Sequence, residues 1–127
     1  MGNGTRLGKV RGLGAAGGGV VHHWWLQRVT AVASLFLVLW FAFSLARLPS
    51  LDYASARLWL SQPIVAVPMC LLVVSVFWHF RLGVQVMLED YLHGSKRVIA
   101  MLALNFYTFV LAAFALFSVL KIALPAA

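Results

Sequence analysis

Acidic residues are nearly missing from this sequence: Asp52, Glu89 and Asp90 are the only three in 127 positions. Charged residues of either sign make up 10% of the chain, against roughly a quarter in soluble domains. Hydrophobic residues make up 63%, more apolar surface than a soluble chain of this length can hide in one core. The scarcity of charge excludes an ordinary soluble domain and implies a membrane protein. Cysteine occurs once, at Cys70 within an apolar run, which excludes a disulfide framework and a cysteine-based metal site. Cys70 reads as a small packing residue. Internal repeats are absent. The ten Lys and Arg give a net charge of +7, a balance that elsewhere points to nucleic acid. Here the cations flank apolar spans, which fits topology and anionic lipid better, so the expected partner is the bilayer and no nucleic acid.

Residues 1–19, MGNGTRLGKVRGLGAAGGG, are basic and glycine-rich with no apolar centre, and so lack the pattern of a secretory signal. The stretch 1–22 reads as a flexible cytoplasmic tail, with a short organellar presequence as the lesser alternative. MGNGTR loosely matches a myristoylation pattern, but a chain that already spans the bilayer gains little from one acyl group.

Crossing a hydrocarbon core of about 30 Å takes roughly twenty apolar residues as helix. Three segments qualify, over about 29–48, 64–88 and 98–124, and together they make residues 23–127 a three-helix membrane domain. The third is apolar but for a few polar groups, Asn105, Thr108 and Lys121 among them. Between the first two, PSLDYASARLWLSQP carries the proline, serine and aspartate signals of a short surface loop with an interfacial amphipathic turn. Pro68 lies early in the second span and is a kink candidate. With the N-terminus cytoplasmic, Arg6, Lys9, Arg11, Arg28, Lys96 and Arg97 fall inside, and Arg47, Arg57 and Lys121 outside. The excess favours a cytoplasmic N-terminus and a periplasmic C-terminus. Trp24 and Trp25 then mark the inner interface and Trp59 the outer one.

The chemistry concentrates in HFRLGVQVMLEDYLHGSKR, residues 79–97. His79 and Asp90 are eleven residues apart, three turns plus about 20° of helix, so they share a face about 16 Å apart along the axis. Leu72, Ser75, Gly83 and Val86 lie on the same stripe. Gly83 removes a side chain one turn from His79, where a flat ligand or another helix approaches closely. Arg81 points away, with a stem long enough to snorkel to the inner surface. With Glu89, Asp90 and Tyr91 at the cytoplasmic boundary, His79 sits about halfway through the hydrocarbon. An imidazole there is either a neutral ring hydrogen-bonded to a neighbouring helix or an axial ligand to haem iron. The other histidines, His22, His23 and His93, lie near the inner boundary, so a second axial imidazole at that depth comes from another subunit. Asp90 and Tyr91 read singly as a solvated helix end and an interfacial anchor. Together at a pocket mouth, the phenol can donate a hydrogen bond to a quinone carbonyl and the carboxylate can orient it or relay protons.

His79, Gly83, Asp90 and Tyr91, spaced H-x3-G-x6-D-Y after an apolar run, resemble the second helix of the small anchor subunit of succinate dehydrogenase, the D chain of respiratory complex II. Gln27-Arg28-Val29-Thr30-Ala31 after His22 and His23 resembles the start of that family's first helix, and the three spans agree. The larger anchor, the C chain, is less similar: its His-Arg-x-Thr-Gly and Gly-Ile-Arg-His stretches read QRVTA and GVQV here. The resemblance implies a helical bundle built with the C anchor subunit, and iron–sulfur and flavoprotein subunits held at a bacterial inner membrane, or less expectedly a mitochondrial one. It implies that His79 ligates a haem b shared with the C subunit and that Tyr91 hydrogen-bonds ubiquinone beside Asp90. Arg28 is then expected at the haem propionates or the quinone mouth. Flavin, iron–sulfur and succinate motifs are absent, so this polypeptide is expected to be a subunit without catalysis of its own. The alternatives are a fumarate reductase anchor and a non-redox structural or transport subunit with three helices.

Overall fold

The computed structural model describes residues 17–124. Most of the expected basic tail therefore lies outside the described residues. Four helices follow in chain order: α1 (Gly17–Ala46), α2 (Tyr53–Leu60), α3 (Pro63–Tyr91) and α4 (Gly94–Ala123). Among the described residues there is no strand. Three helices are long and apolar enough to cross a membrane, α1 from Val21 onward and α3 and α4 throughout. The chain is an all-α membrane protein with three spans.

Each helix outruns the stretch expected from hydropathy. α1 is already helical at Gly17. α3 continues to Tyr91, and α4 begins at Gly94 instead of near 98. Hydropathy reports where the hydrocarbon ends, whereas backbone hydrogen bonding carries a helix onward through charged residues such as Glu89, Asp90, Lys96 and Arg97. Local chemistry sets the actual stops. Pro63 opens α3 at the position where a missing N–H costs nothing. Pro68, one turn further in, leaves α3 helical. Leu92 and His93 are extended, and Gly94 adopts φ +64°, the one positive φ among the described residues. A side chain there would be strained, so glycine makes the tight reversal from α3 to α4 possible. The loop expected before the second span contains a true helix, α2. The Asp52 carboxylate caps it by accepting from the Ser55 N–H at 2.7 Å and the Ser50 hydroxyl at 2.8 Å. Those donors hold the Asp52 carboxyl below the ordinary carboxylate pKa.

α3 is the middle of the layer. It packs along α1 on one side and α4 on the other, while the backbones of α1 and α4 do not come within packing distance of each other among the described residues. The result is an open ribbon of helices and not a closed bundle. Burial follows that arrangement: α3 buries Val65, Met69, Leu72, Ser75 and Leu82, α4 buries Thr108, and no described residue of α1 is buried. The buried α3 positions recur every three or four residues, the spacing of a packing seam. Between apolar helices in lipid the hydrophobic effect supplies little association energy, so close packing and polar contacts hold them. At the α2 end, Trp59 stacks on Trp40 with centroids 6.3 Å apart and tilts against Phe41 at 6.2 Å. Trp59 thus ties α2 to α1 as well as sitting at the membrane surface.

Candidate functional site

His79 lies 16 residues into α3 and 12 before its end, about 24 Å and 18 Å along the axis. It is half-buried against α1. Its Nδ1 is 3.2 Å from the Thr30 hydroxyl. That hydroxyl has one proton, and it is directed at the Leu26 carbonyl 2.8 Å away, with the Gln27 carbonyl at 3.2 Å. With the Thr30 proton on the Leu26 carbonyl, the Thr30 oxygen accepts from His79, which is the tautomer with its proton on Nδ1 and its lone pair on Nε2. No hydrogen bond engages Nε2 among the described residues. One turn before His79, the Ser75 hydroxyl donates to the Thr30 carbonyl at 3.3 Å and meets the Ser34 hydroxyl at 3.0 Å. Four polar groups thus fix the α1–α3 crossing at the level of the imidazole.

These observations fit a haem. An axial histidine presents one ring nitrogen to iron while the other donates to a protein acceptor, which fixes the ring and raises its basicity. Thr30 is such an acceptor. A Cβ placed on Gly83, one turn along the same stripe, would meet nothing within 4 Å, so the helix face beside His79 is open. Groups of three or more His, Cys, Asp or Glu able to hold a metal do not occur among the described residues.

Arg81, two residues on and about 200° around the helix, faces the other flank. Its Nε donates to the Asn105 Oδ1 of α4 at 2.6 Å, and its guanidinium stands 5.8 Å over the Trp78 ring. The Arg81 head is thus hydrogen-bonded to an amide oxygen on the adjacent helix. Asn105 is the partner that sequence inspection missed; the signal was a lone amide in an apolar span. His23 is a second missed feature. It shares the Thr30 face, seven residues earlier, and its buried Nε2 has no partner among the described residues.

At the α3–α4 reversal the three charged or phenolic groups separate. Glu89 accepts from Gln85 at 3.0 Å and pairs with Arg97 of α4 at 3.3 Å. Asp90 and Tyr91 are exposed, Tyr91 to 81%, and neither side chain is hydrogen-bonded among the described residues. Adjacent helix positions point about 100° apart, so within this chain the carboxylate does not hold the phenol. Arg28 is exposed on α1, with its guanidinium 5.4 Å over the Trp24 ring. It leaves the helix about 200° from Thr30, on the side away from His79.

The chain is similar over residues 1–119 to the family described as succinate dehydrogenase/fumarate reductase transmembrane subunit. Its curated relatives include the succinate dehydrogenase hydrophobic membrane anchor subunit of Rickettsia bellii, 34% identical over 69% of this chain and 70% of that protein. The protein of the same name from Paracoccus denitrificans is 30% identical over 91% of this chain and 88% of its own length. The succinate dehydrogenase membrane anchor subunit of Reclinomonas americana is 31% identical over 58% and 64%. No solved structure matches the chain.

Proposed function

The chain belongs to the succinate dehydrogenase/fumarate reductase transmembrane subunit family, and from that premise we propose that it anchors a succinate:ubiquinone oxidoreductase in the membrane. The anchor tethers the flavoprotein and iron–sulfur subunits and forms one wall of a haem b and quinone region with the C anchor subunit. The names of its relatives favour succinate oxidation over fumarate reduction. The N-terminus faces the cytoplasm and the C-terminus the periplasm of a bacterial inner membrane, as the distribution of Lys and Arg supports.

One observation supports the site: His79 Nδ1 lies 3.2 Å from the Thr30 hydroxyl, and in the tautomer that donates to Thr30 the nitrogen left for iron is Nε2. His79 would hold the haem b iron together with a histidine of the C subunit. Haem b when bound supplies a one-electron centre within the membrane. Gly83 keeps the face beside the imidazole open, and Arg28 offers a cation to the propionates or to the quinone mouth on the outer side of α1. At the inner end of α3 the exposed Tyr91 hydroxyl donates a hydrogen bond to a carbonyl of ubiquinone. Asp90, exposed beside it and without a partner among the described residues, passes protons from the aqueous surface as the quinone is reduced. Glu89 is structural by contrast, since its bond to Arg97 pins the helix reversal that carries both groups.

The test is spectroscopic. The assembled complex carrying His79→Leu should lose or alter its reduced-minus-oxidised haem spectrum, and an unchanged spectrum rejects the ligand assignment. Tyr91→Phe should keep the spectrum and impair quinone reduction; normal kinetics would remove Tyr91 from the quinone site.

A further inference from the structure

Far from His79 and Tyr91, toward the opposite end of the helical layer, α2 and the last turns of α4 border an open groove of about 890 Å³. Its lining combines Tyr53 and Arg57 of α2 with Phe117, Leu120, Lys121 and Ile122 of α4. A second hollow of about 600 Å³ adjoins it and shares Tyr53 and Arg57. The two cations lack a carboxylate partner among the described residues, where the one salt bridge is Arg97–Glu89 at the other end. The one acid on this side, Asp52, is spent on the Ser50 hydroxyl and the Ser55 N–H.

We propose that this groove binds an anionic phospholipid, with its phosphodiester between Arg57 and Lys121 and an acyl chain along Phe117, Leu120 and Ile122. Charge sets the sign of the occupant, since two cations with no carboxylate partner among the described residues, at a membrane boundary, attract a phosphate. Size and polarity dictate the rest. A free phosphate would fill a small part of the volume and leave the apolar wall uncovered, whereas a lipid satisfies both halves. The position agrees, because α2 lies where the apolar spans of α1 and α3 give way to the polar connector. The Tyr53 phenol adds a hydrogen-bond donor at headgroup level. A lipid there bridges α2 to α4, which otherwise meet only at the edge of the layer.

The test uses the whole complex in nanodiscs of phosphatidylcholine containing a minor fraction of phosphatidylglycerol, with retained lipids counted by native mass spectrometry. The unaltered complex should hold one more phosphatidylglycerol per anchor chain than Arg57→Gln/Lys121→Gln. Each cation near an anionic headgroup is worth about five-fold in affinity, so the double variant weakens binding about thirty-fold. Arg47→Gln, which removes a cation at the same end outside the groove lining, should keep the lipid. The swap Arg57→Lys/Lys121→Arg, which preserves charge, should keep it too. Equal counts in parent and double variant overturn the proposal, as they would if a protein segment filled the groove. Two results on the unaltered complex also overturn it and require no variant: equal retention of phosphatidylcholine, and displacement by millimolar inorganic phosphate.

Discussion

Replacing Thr30 with valine removes one hydroxyl and almost nothing else. Valine keeps the β-branched shape and its χ1 preference in a helix, and Ser34 and Ser75 still join α1 to α3. The change therefore isolates the bond between Thr30 and His79 Nδ1. Two effects follow. The imidazole N–H loses a hydrogen bond worth about 0.5–1.5 kcal/mol, and if no water reaches it the unmet donor costs about 1–3 kcal/mol. The ring also becomes a poorer electron donor, because an acceptor on Nδ1–H raises the basicity of Nε2. Losing such a partner weakens metal binding about 10–100-fold, or about 1.4–2.7 kcal/mol. The ferric state relies more on donation than the ferrous state, so the midpoint potential should rise. If ferric binding suffers ten-fold more than ferrous binding, the rise is about 60 mV for a one-electron couple. A spectroscopic redox titration of the purified complex, with haem content per complex, reads both effects. Thr30→Ser keeps the hydroxyl and serves as the control. Unchanged potential and haem content in Thr30→Val, equal to those of Thr30→Ser, would refute the assignment of Nδ1 as the fixed donor and Nε2 as the ligand.

Four other expectations can be checked separately. Gly83→Ala should leave the isolated chain as stable or firmer by about 0.5–1 kcal/mol, since the new methyl meets nothing within 4 Å. In the assembled complex it should lower haem retention, and improved retention would show the face is not used. Asn105→Leu should destabilise the helix pair by about 1.5–3 kcal/mol by stranding the Arg81 guanidinium, and Arg81→Met in the same chain should recover most of that loss; thermal unfolding in detergent of the four chains of a double-mutant cycle decides it. Because the folded Asp52 carboxyl lies below its ordinary value, the α2 cap is at full strength above about pH 4 and is lost as pH falls through the lowered pKa. Acid titration of the Trp59 fluorescence should show that loss, and Asp52→Asn should flatten it. Glu89→Gln should loosen the α3–α4 reversal and slow quinone reduction without altering the haem spectrum, whereas a change in both would point to a wider disturbance.

Three spans were legible in the sequence because bilayer thickness leaves a chain with so few charges little other arrangement. His79 stood out for the same reason, as an ionisable ring deep in an apolar run. The partners of these groups were not legible. Thr30 and His79 are separated by 49 positions, and helical periodicity assigns a residue to a face without naming the helix opposite. Arg81 illustrates the point: its direction away from His79 followed from the 100° step, but its bond to Asn105 depends on α4 lying beside α3. The eight residues of α2 are too few for periodicity to resolve, and their helix rests on one aspartate cap and a tryptophan stacked on α1. Glu89 and Asp90, adjacent and chemically alike, divided into a paired group and a free one only when Arg97 took its place in space.

A slab of three rods whose outer pair stand apart at the backbone has two broad sides and little inside. Whatever prosthetic group or neighbouring polypeptide such a slab holds must serve as its missing centre. Assembly then becomes the completion of folding, and a chain made in excess of its companions would be left as an unfinished surface, open to proteolytic clearance in proportion to the surplus.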